Sequence, residues 1–313
     1  MSAAALSGRL VRSSHSLHLR SPSLQAVLET AAAQVGAARR GLGLQLARVR
    51  WRAGSALAAP LYALYTRRLR RRVRARPLPN HVAVILDGNR RWASLAGLHQ
   101  PGAGHSRGAD KLDELLCWCA GLGIGELTVW ALSGENLARP RAELDELVAI
   151  LVRKLTALAE HAPAGSSPPR IRVFGRIESL PRELAETARR VQAATADNRG
   201  LVLNVALGYS GRDELVDAVR KLIAALAAED VPAGEMAAHV DAAALESHLY
   251  TAEHSDPDLI VRTSGEMRLS GFLPWQSSHS EFYFTDVYWP AFRELDFLRA
   301  VRTYQQRERR FGR

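Results

Sequence analysis

The fold this chain predicts is one α/β domain, with a central, mostly parallel sheet flanked by helices. Three observations lead there. Short apolar runs alternate with longer segments of helical period from about residue 77 onward. The runs are apolar throughout, which marks strands covered on both faces. Strand–helix alternation of this kind implies right-handed crossovers and a helix layer on each side of the sheet. Residues 77–313 are also enough to enclose a substantial core.

The elements follow in chain order. Residues 1–55 are Ala-, Arg- and Leu-rich and are expected to be a basic, disordered or membrane-surface extension. A transit peptide and a start codon assigned too far upstream are the alternatives for that stretch. Residues 56–76 read as a basic amphipathic helix, because Leu57, Leu61, Leu64, Tyr65 and Leu69 fall on one helical stripe beside many Arg. Strands are predicted at 81–86, 127–132, 171–174, 201–207 and 258–261, and helices at 105–122, 141–160, 182–195, 211–228 and 293–310. The Pro- and Ser-rich stretch 163–169 reads as a loop. No internal repeat is visible. No apolar stretch has the length needed to span a bilayer.

The formal charge of +10 has to be divided before it is interpreted. Residues 1–76 hold fifteen Arg, no Lys and one acid (Glu29), a net +14, so the remainder carries 10 − 14 = −4. Basicity therefore belongs to the extension, and nucleic acid is not an expected partner of the domain that follows it. Cys117 and Cys119 lack zinc-ligand spacing and are poorly placed for a disulfide, which fits a reducing, cytoplasmic setting. Among ten His, only His105 sits in a recognisable motif, and Trp118, Trp130, Trp275 and Trp289 read as packing residues.

Two segments carry the chemistry. The run 82–86 stops at Asp87, and Gly88-Asn89-Arg90-Arg91-Trp92 follows at the place where open α/β sheets bind ligands. An acid can hold a divalent cation, and Arg forks hold phosphate oxygens. An Asp N-cap followed by a solvated Arg pair is the structural alternative. After 258–261 come Arg262, Ser264, Gly265, Arg268 and Ser270, a second phosphate-binding composition. Glu281 lies among Phe282, Tyr283 and Phe284, where a carboxylate needs a metal or an Arg as partner.

These two segments resemble signatures of the cis-prenyltransferases, also called isoprenyl or undecaprenyl diphosphate synthases. GAGHSRGADKL (102–112), ALSGENLARP (131–140) and LNVALGYSGRDELVDAV (203–219) are similar to the family's intermediate motifs, in the family's order, over about residues 77–313. The resemblance implies a hydrophobic product tunnel and a condensation of isopentenyl diphosphate with an allylic diphosphate such as geranyl or farnesyl diphosphate. It implies Mg²⁺ bound by Asp87 and Glu281. It also implies that Gly88, Asn89, Arg90, Arg91, Trp92 and His105 surround the allylic diphosphate. Ser133, Gly134, Glu135, Asn136, Leu137 and Arg139 would lie near the reacting carbons, with Asn136 and Asp87 catalytic. Arg262, Arg268, Leu269 and Ser270 would hold the isopentenyl diphosphate.

Leu137 departs from the aromatic common in the family, and no Arg stands upstream of His105, where Leu98, His99 and Gln100 are found. Similarity is strongest to actinobacterial short-chain Z-farnesyl diphosphate synthases, so a Z-farnesyl product is expected. A long-chain polyprenyl product is the alternative, because Ala131 is small where short-chain enzymes carry a bulkier residue. An inert accessory subunit is the non-enzyme alternative. Arg310-Phe311-Gly312 resembles an element that completes active sites across a homodimer, and a lipid product implies peripheral contact with the inner face of the cell membrane. No GxxxxGK[ST] loop and no DDxxD cluster exists, which argues against P-loop and trans-type enzymes.

Overall fold

The computed structural model describes residues 60–98, 100, 102–163 and 167–307. The expected extension 1–55, residues 56–59 of the expected helix, and Arg310-Phe311-Gly312 lie outside the described residues. The chain divides into two compact units between Leu64 and Tyr65. In the first unit, residues 60–64 are helical. Everything else described belongs to the second.

Six strands form one sheet: β1 (His81–Ile85), β2 (Glu126–Ser133), β3 (Arg170–Phe174), β4 (Val202–Tyr209), β5 (Leu259–Arg262) and β6 (Glu281–Phe284). Their order is β3-β4-β2-β1-β5-β6, and every pairing is parallel. All five residues of β1 and all four of β5 are buried, the apolar ones as a strand covered on both faces requires, with His81 and Arg262 as the polar ends. The edge strand β6 has no counterpart among the predicted strands. It is four residues long, half-buried, and begins with an acid, so no apolar run announces it.

The helices are α1 (65–74 within this unit), α2 (Asn89–Leu95), α3 (Ala103–Leu122), α4 (Arg141–Glu160), α5 (Arg182–Ala194), α6 (Gly211–Ala228), α7 (Ala242–Glu246) and α8 (Glu294–Gln306). Pro140 and Pro181 stand directly before α4 and α5, each at φ −50°, and preset the entry into the helix. Leu69 and Val73 of α1 are buried, Arg70 pairs with Glu294 on α8, and Gln305 donates to the Val73 carbonyl at 2.9 Å. No helix among the described residues is long and apolar enough to cross a membrane.

Leu115, Leu127, Leu132, Leu203 and Leu207 are fully buried and fill the layers on either side of the sheet. Each such side chain contributes roughly 1.5–3 kcal/mol of transfer free energy. At the amino end of the sheet a polar layer crosses three strands. Asn204 donates to Glu126 at 2.6 Å and to Thr128 at 3.0 Å, and the His81 ring meets Thr128 at 2.7 Å. Burial, only partly offset by Glu126, lowers the pKa of His81.

The strand order places a switch point between β1 and β5. The chain leaves β1 toward β2 and leaves β5 toward β6, on the opposite side. A crevice therefore opens between the carboxyl ends of β1 and β5, the standard ligand position of such sheets.

Candidate active site

Asp87 and Arg262 meet in that crevice. Ile85 and Arg262 are register partners, so the acid two residues past Ile85 reaches the guanidinium at the end of β5. Arg262 Nη2 donates to Asp87 Oδ2 at 2.9 Å, and Arg91 Nη2 to Oδ1 at 3.2 Å. The backbone is fixed as well. Thr263 Oγ1 accepts from the Asp87 amide at 3.0 Å and donates to its carbonyl at 2.7 Å. Burial pushes the carboxyl upward, but hydrogen bonds from Arg262 and Ser264, with the charges of Arg262 and Arg91, outweigh it and hold the pKa below the usual carboxylate range. Asp87 is thus a fixed anion.

The turn after β1 requires glycine. Gly88 has φ 100°, and a Cβ there would press on the Tyr288 ring. Two serines after β5 take left-handed φ without being glycine, Ser264 at 83° and Ser270 at 53°. Such conformations cost of order 1–3 kcal/mol each and concentrate where a ligand is gripped. Both hydroxyls accept from site guanidiniums, Arg91 to Ser264 at 2.7 Å and Arg262 to Ser270 at 2.9 Å.

A cleft of about 790 Å³ surrounds these groups. From the β1–α2 junction it takes Asp87, Gly88, Asn89, Arg90 and Arg91; from α3, His105; from the segment after β2, Ser133, Glu135, Asn136 and Arg139; and from the segment after β5, Arg262, Arg268 and Ser270. Five guanidiniums face three carboxylates (Asp87, Glu135, Glu266), a net charge of +2 from these groups. Arg90 and Arg139 share Glu143, at 3.4 and 3.0 Å. Burial, and then the charges of Arg139 and Arg90, lower the pKa of His105 to about 4, so it is a neutral imidazole at pH 7. Ser133 and Asn136 cap each other's backbone amides at 3.2 Å, which fixes both side chains at the rim.

Five expected contacts stand off the cleft. Trp92 is half-buried on α2 but outside the lining. A Cβ at Gly134 would face Asp213 and Ser210, and one at Gly208 would face Leu137, because the turn after β2 aims both residues at β4 and α6. Leu269 packs on the cluster of Ala83, Ile85 and Phe272, where an apolar side chain belongs. Glu281 is the fifth. It is register partner to Leu259 at the start of β5, three residues before Arg262 and roughly 10 Å along the strand. Its carboxylate accepts from Arg307 at 2.6 Å, so within this chain it does not join Asp87.

The structure adds residues that sequence reasoning left out. Glu266 accepts from Arg91 at 3.3 Å and from Arg268, bridging the two phosphate-binding segments. Thr263 pins Asp87. Trp130, read as a packing residue, stacks on Phe272 at 5.1 Å and also lines the cleft. An acid between two Arg of the phosphate-binding segment, four residues past the strand-end Arg262 and two before Arg268, was the one available signal for Glu266.

Behind the cleft is an apolar cavity of about 70 Å³ between β2, α3 and α4. Leu86, Asn89, His105, Trp130, Ala131 and Leu147 line both spaces and form the mouth. Asn89 donates to the Leu86 carbonyl at 2.9 Å, while its buried Oδ1 has no partner among the described residues. Gly108 permits this close fit, since a Cβ there would strike that oxygen. Among the described residues, no group of three or more His, Cys, Asp or Glu could hold a metal by itself. A lone Asp beside phosphate-binding Arg does suit Mg²⁺, which commonly takes one or two carboxylates and completes its shell with phosphate and water.

A parallel sheet with a cationic switch point opening into an apolar cavity suits a ligand that is anionic at one end and hydrocarbon at the other. Residues 85–312 match the undecaprenyl diphosphate synthase family of prenyltransferases, and the chain belongs to that cis-prenyltransferase family. The (2Z,6E)-farnesyl diphosphate synthase of Thermobifida fusca is 49% identical over 256 residues, 82% of this chain and 98% of that protein. An undecaprenyl diphosphate synthase of Methanopyrus kandleri, specific for geranylgeranyl diphosphate, is 43% identical over 276 residues, 88% of this chain and all of the other. Lavandulyl diphosphate synthase from Lavandula x intermedia, solved with dimethylallyl diphosphate, superimposes with a TM-score of 0.69 at 35% identity, covering 75% of this chain and 99% of that one.

Proposed function

We propose that this chain condenses isopentenyl diphosphate with an allylic diphosphate, releases pyrophosphate and forms a cis double bond, with Mg²⁺ held at Asp87. The observation that carries this reading is the ring of five Arg around one ionised Asp, opening into an apolar cavity. Two polyanions must lie side by side, and only a surplus of fixed positive charge offsets their repulsion. Arg90, Arg91, neutral His105 and the Gly88–Asn89 backbone would hold the allylic diphosphate. Arg262, Arg268 and Ser270 would hold that of the second substrate, with Ser133, Glu135, Asn136 and Arg139 beside the reacting carbons. When bound, Mg²⁺ supplies charge neutralisation at the leaving diphosphate. Preset donors at the departing oxygens contribute most of the rate. The Asn89 and Asn136 amides orient groups but are poor bases, so the proton passes to a diphosphate oxygen.

A short, Z-farnesyl product is the reading the small cavity supports, as does similarity to a protein named for that product. Ala131 at the cavity mouth and similarity to an undecaprenyl synthase favour a longer polyprenyl product as the second reading. The intact set of Asp87, Arg91, Arg262 and Arg268 argues against an inert subunit. A homodimer and peripheral membrane contact complete the proposal, the former resting on the Arg310-Phe311-Gly312 resemblance. The test incubates the protein with Mg²⁺, isopentenyl diphosphate and geranyl or farnesyl diphosphate, then determines product mass and double-bond geometry. Absence of any condensed product, or only trans product, refutes the assignment.

A further inference from the structure

Lysine is out of place in the wall of an apolar cavity, yet Lys154 lines this one with Leu112, Leu151, Leu155 and Leu158. Its side chain is 13% exposed, and its Nζ reaches across to Asp113 Oδ2 at 2.7 Å. The aliphatic stem therefore lies along the cavity while the ammonium is drawn to the seam between α4 and α3, as long basic side chains tend to do. Asp113 follows Leu112 on α3 and is itself 45% exposed, so the pair brings charge and water to one side of a hydrocarbon wall that runs one turn further along α4 to Leu158.

Depth along the helices agrees from both sides. From Leu147 at the mouth to Lys154 is seven residues of α4, about 10 Å; from His105 to Asp113 is eight residues of α3, about 12 Å. One isoprene unit adds four main-chain carbons, which with bonds of about 1.5 Å advance roughly 5 Å. Two units therefore fill the distance from mouth to ion pair, and the first unit, next to its diphosphate, stays in the cleft.

We propose that the Lys154–Asp113 ion pair, strung between α3 and α4 across the inner half of the apolar cavity, limits the length to which the growing prenyl chain extends. This rests on the cis-prenyltransferase reading above. A fourth unit would have to displace the Lys154 stem and part the pair, placing hydrocarbon against two charges. The pair acts as a polar stop, distinct from bulk at the mouth. Asp113 and Lys154 touch neither diphosphate nor reacting carbons, so they determine specificity without being catalytic.

The experiment determines product lengths from isopentenyl diphosphate and geranyl diphosphate with Mg²⁺, for the full chain and four variants. Lys154→Ala and Lys154→Met are expected to lengthen the main product by at least one C5 unit. Lys154→Arg, which keeps the pair, retains the parent length. Asp113→Asn leaves the cavity wall unchanged and is expected to shift the distribution the same way as Lys154→Ala, by a smaller amount. Unchanged product lengths in Lys154→Ala and Lys154→Met overturn the proposal, as does lengthening in Lys154→Ala with none in Asp113→Asn, which would leave bulk alone as the cause. No product from the parent chain is a different result, and it sinks the enzymatic reading itself. The Met and Asn variants preserve shape at partly exposed positions, so melting curves matching the parent are expected.

Discussion

Asp87→Ala tests the site and the fold at once. Arg262 is only 5% exposed and its Nε is buried without a partner among the described residues, so Asp87 is its chief counter-charge. Removing one member of a buried ion pair costs about 3–5 kcal/mol. The Asp87 side chain is 29% exposed, so water reaches the gap and the figure falls to about 2 kcal/mol. For a domain of this size each kcal/mol moves the melting temperature by about 2–4 °C, which gives a loss of roughly 4–8 °C. Turnover should drop by at least about 10²–10³, the usual cost of one preset electrostatic contact. Inorganic pyrophosphate should restore part of the lost melting temperature, because it supplies Arg262 with a new anion. The assay pairs incorporation of labelled isopentenyl diphosphate with thermal unfolding, with and without pyrophosphate. Turnover within tenfold of the parent, or an unchanged melting temperature, would refute the reasoning.

Ala131→Leu places three more carbons at the mouth of a cavity of about 70 Å³, and is expected to shorten the product; identical product masses would remove Ala131 from the tunnel. Glu266→Gln frees Arg91 and Arg268 from a competing carboxylate, so pyrophosphate should bind up to about fivefold more tightly, read by calorimetry, since exposed pairs of this kind contribute at most about 1 kcal/mol. His105 and His254 have pKa values near 4, and His81 is also lowered, in each case chiefly by burial. The unfolded chain therefore binds more protons than the folded one between about pH 6.5 and 4, so stability falls as pH drops through that window, by up to about 3 kcal/mol each for His105 and His254, with His81 acting in the same direction. Urea midpoints flat from pH 7 to 4 would contradict this.

Much of the frame was legible in the order of residues. Period and apolarity located β1, β2, β4 and β5, and α4 and α6 begin and end at the predicted residues, because strands buried on both faces and amphipathic helices leave strong local signals. Asp87, Arg90, Arg91, Arg262, Arg268 and Ser270 were also readable, since each follows a strand at the place where parallel sheets bind ligands. Distance between segments was not. Parallel register sets Glu281 at the amino end of the sheet, where within this chain it meets Arg307 and not Asp87. Glu266, Thr263 and Trp130 gained their places from neighbours 130 to 180 positions away or from stacking across the sheet, and Lys154 entered a cavity wall because α3 and α4 converge there. Local sequence determines what an element is and which of its faces is greasy. Which charges share one dielectric space is decided only when the strands take their register, since electrostatic energy depends on separation in space and not along the chain.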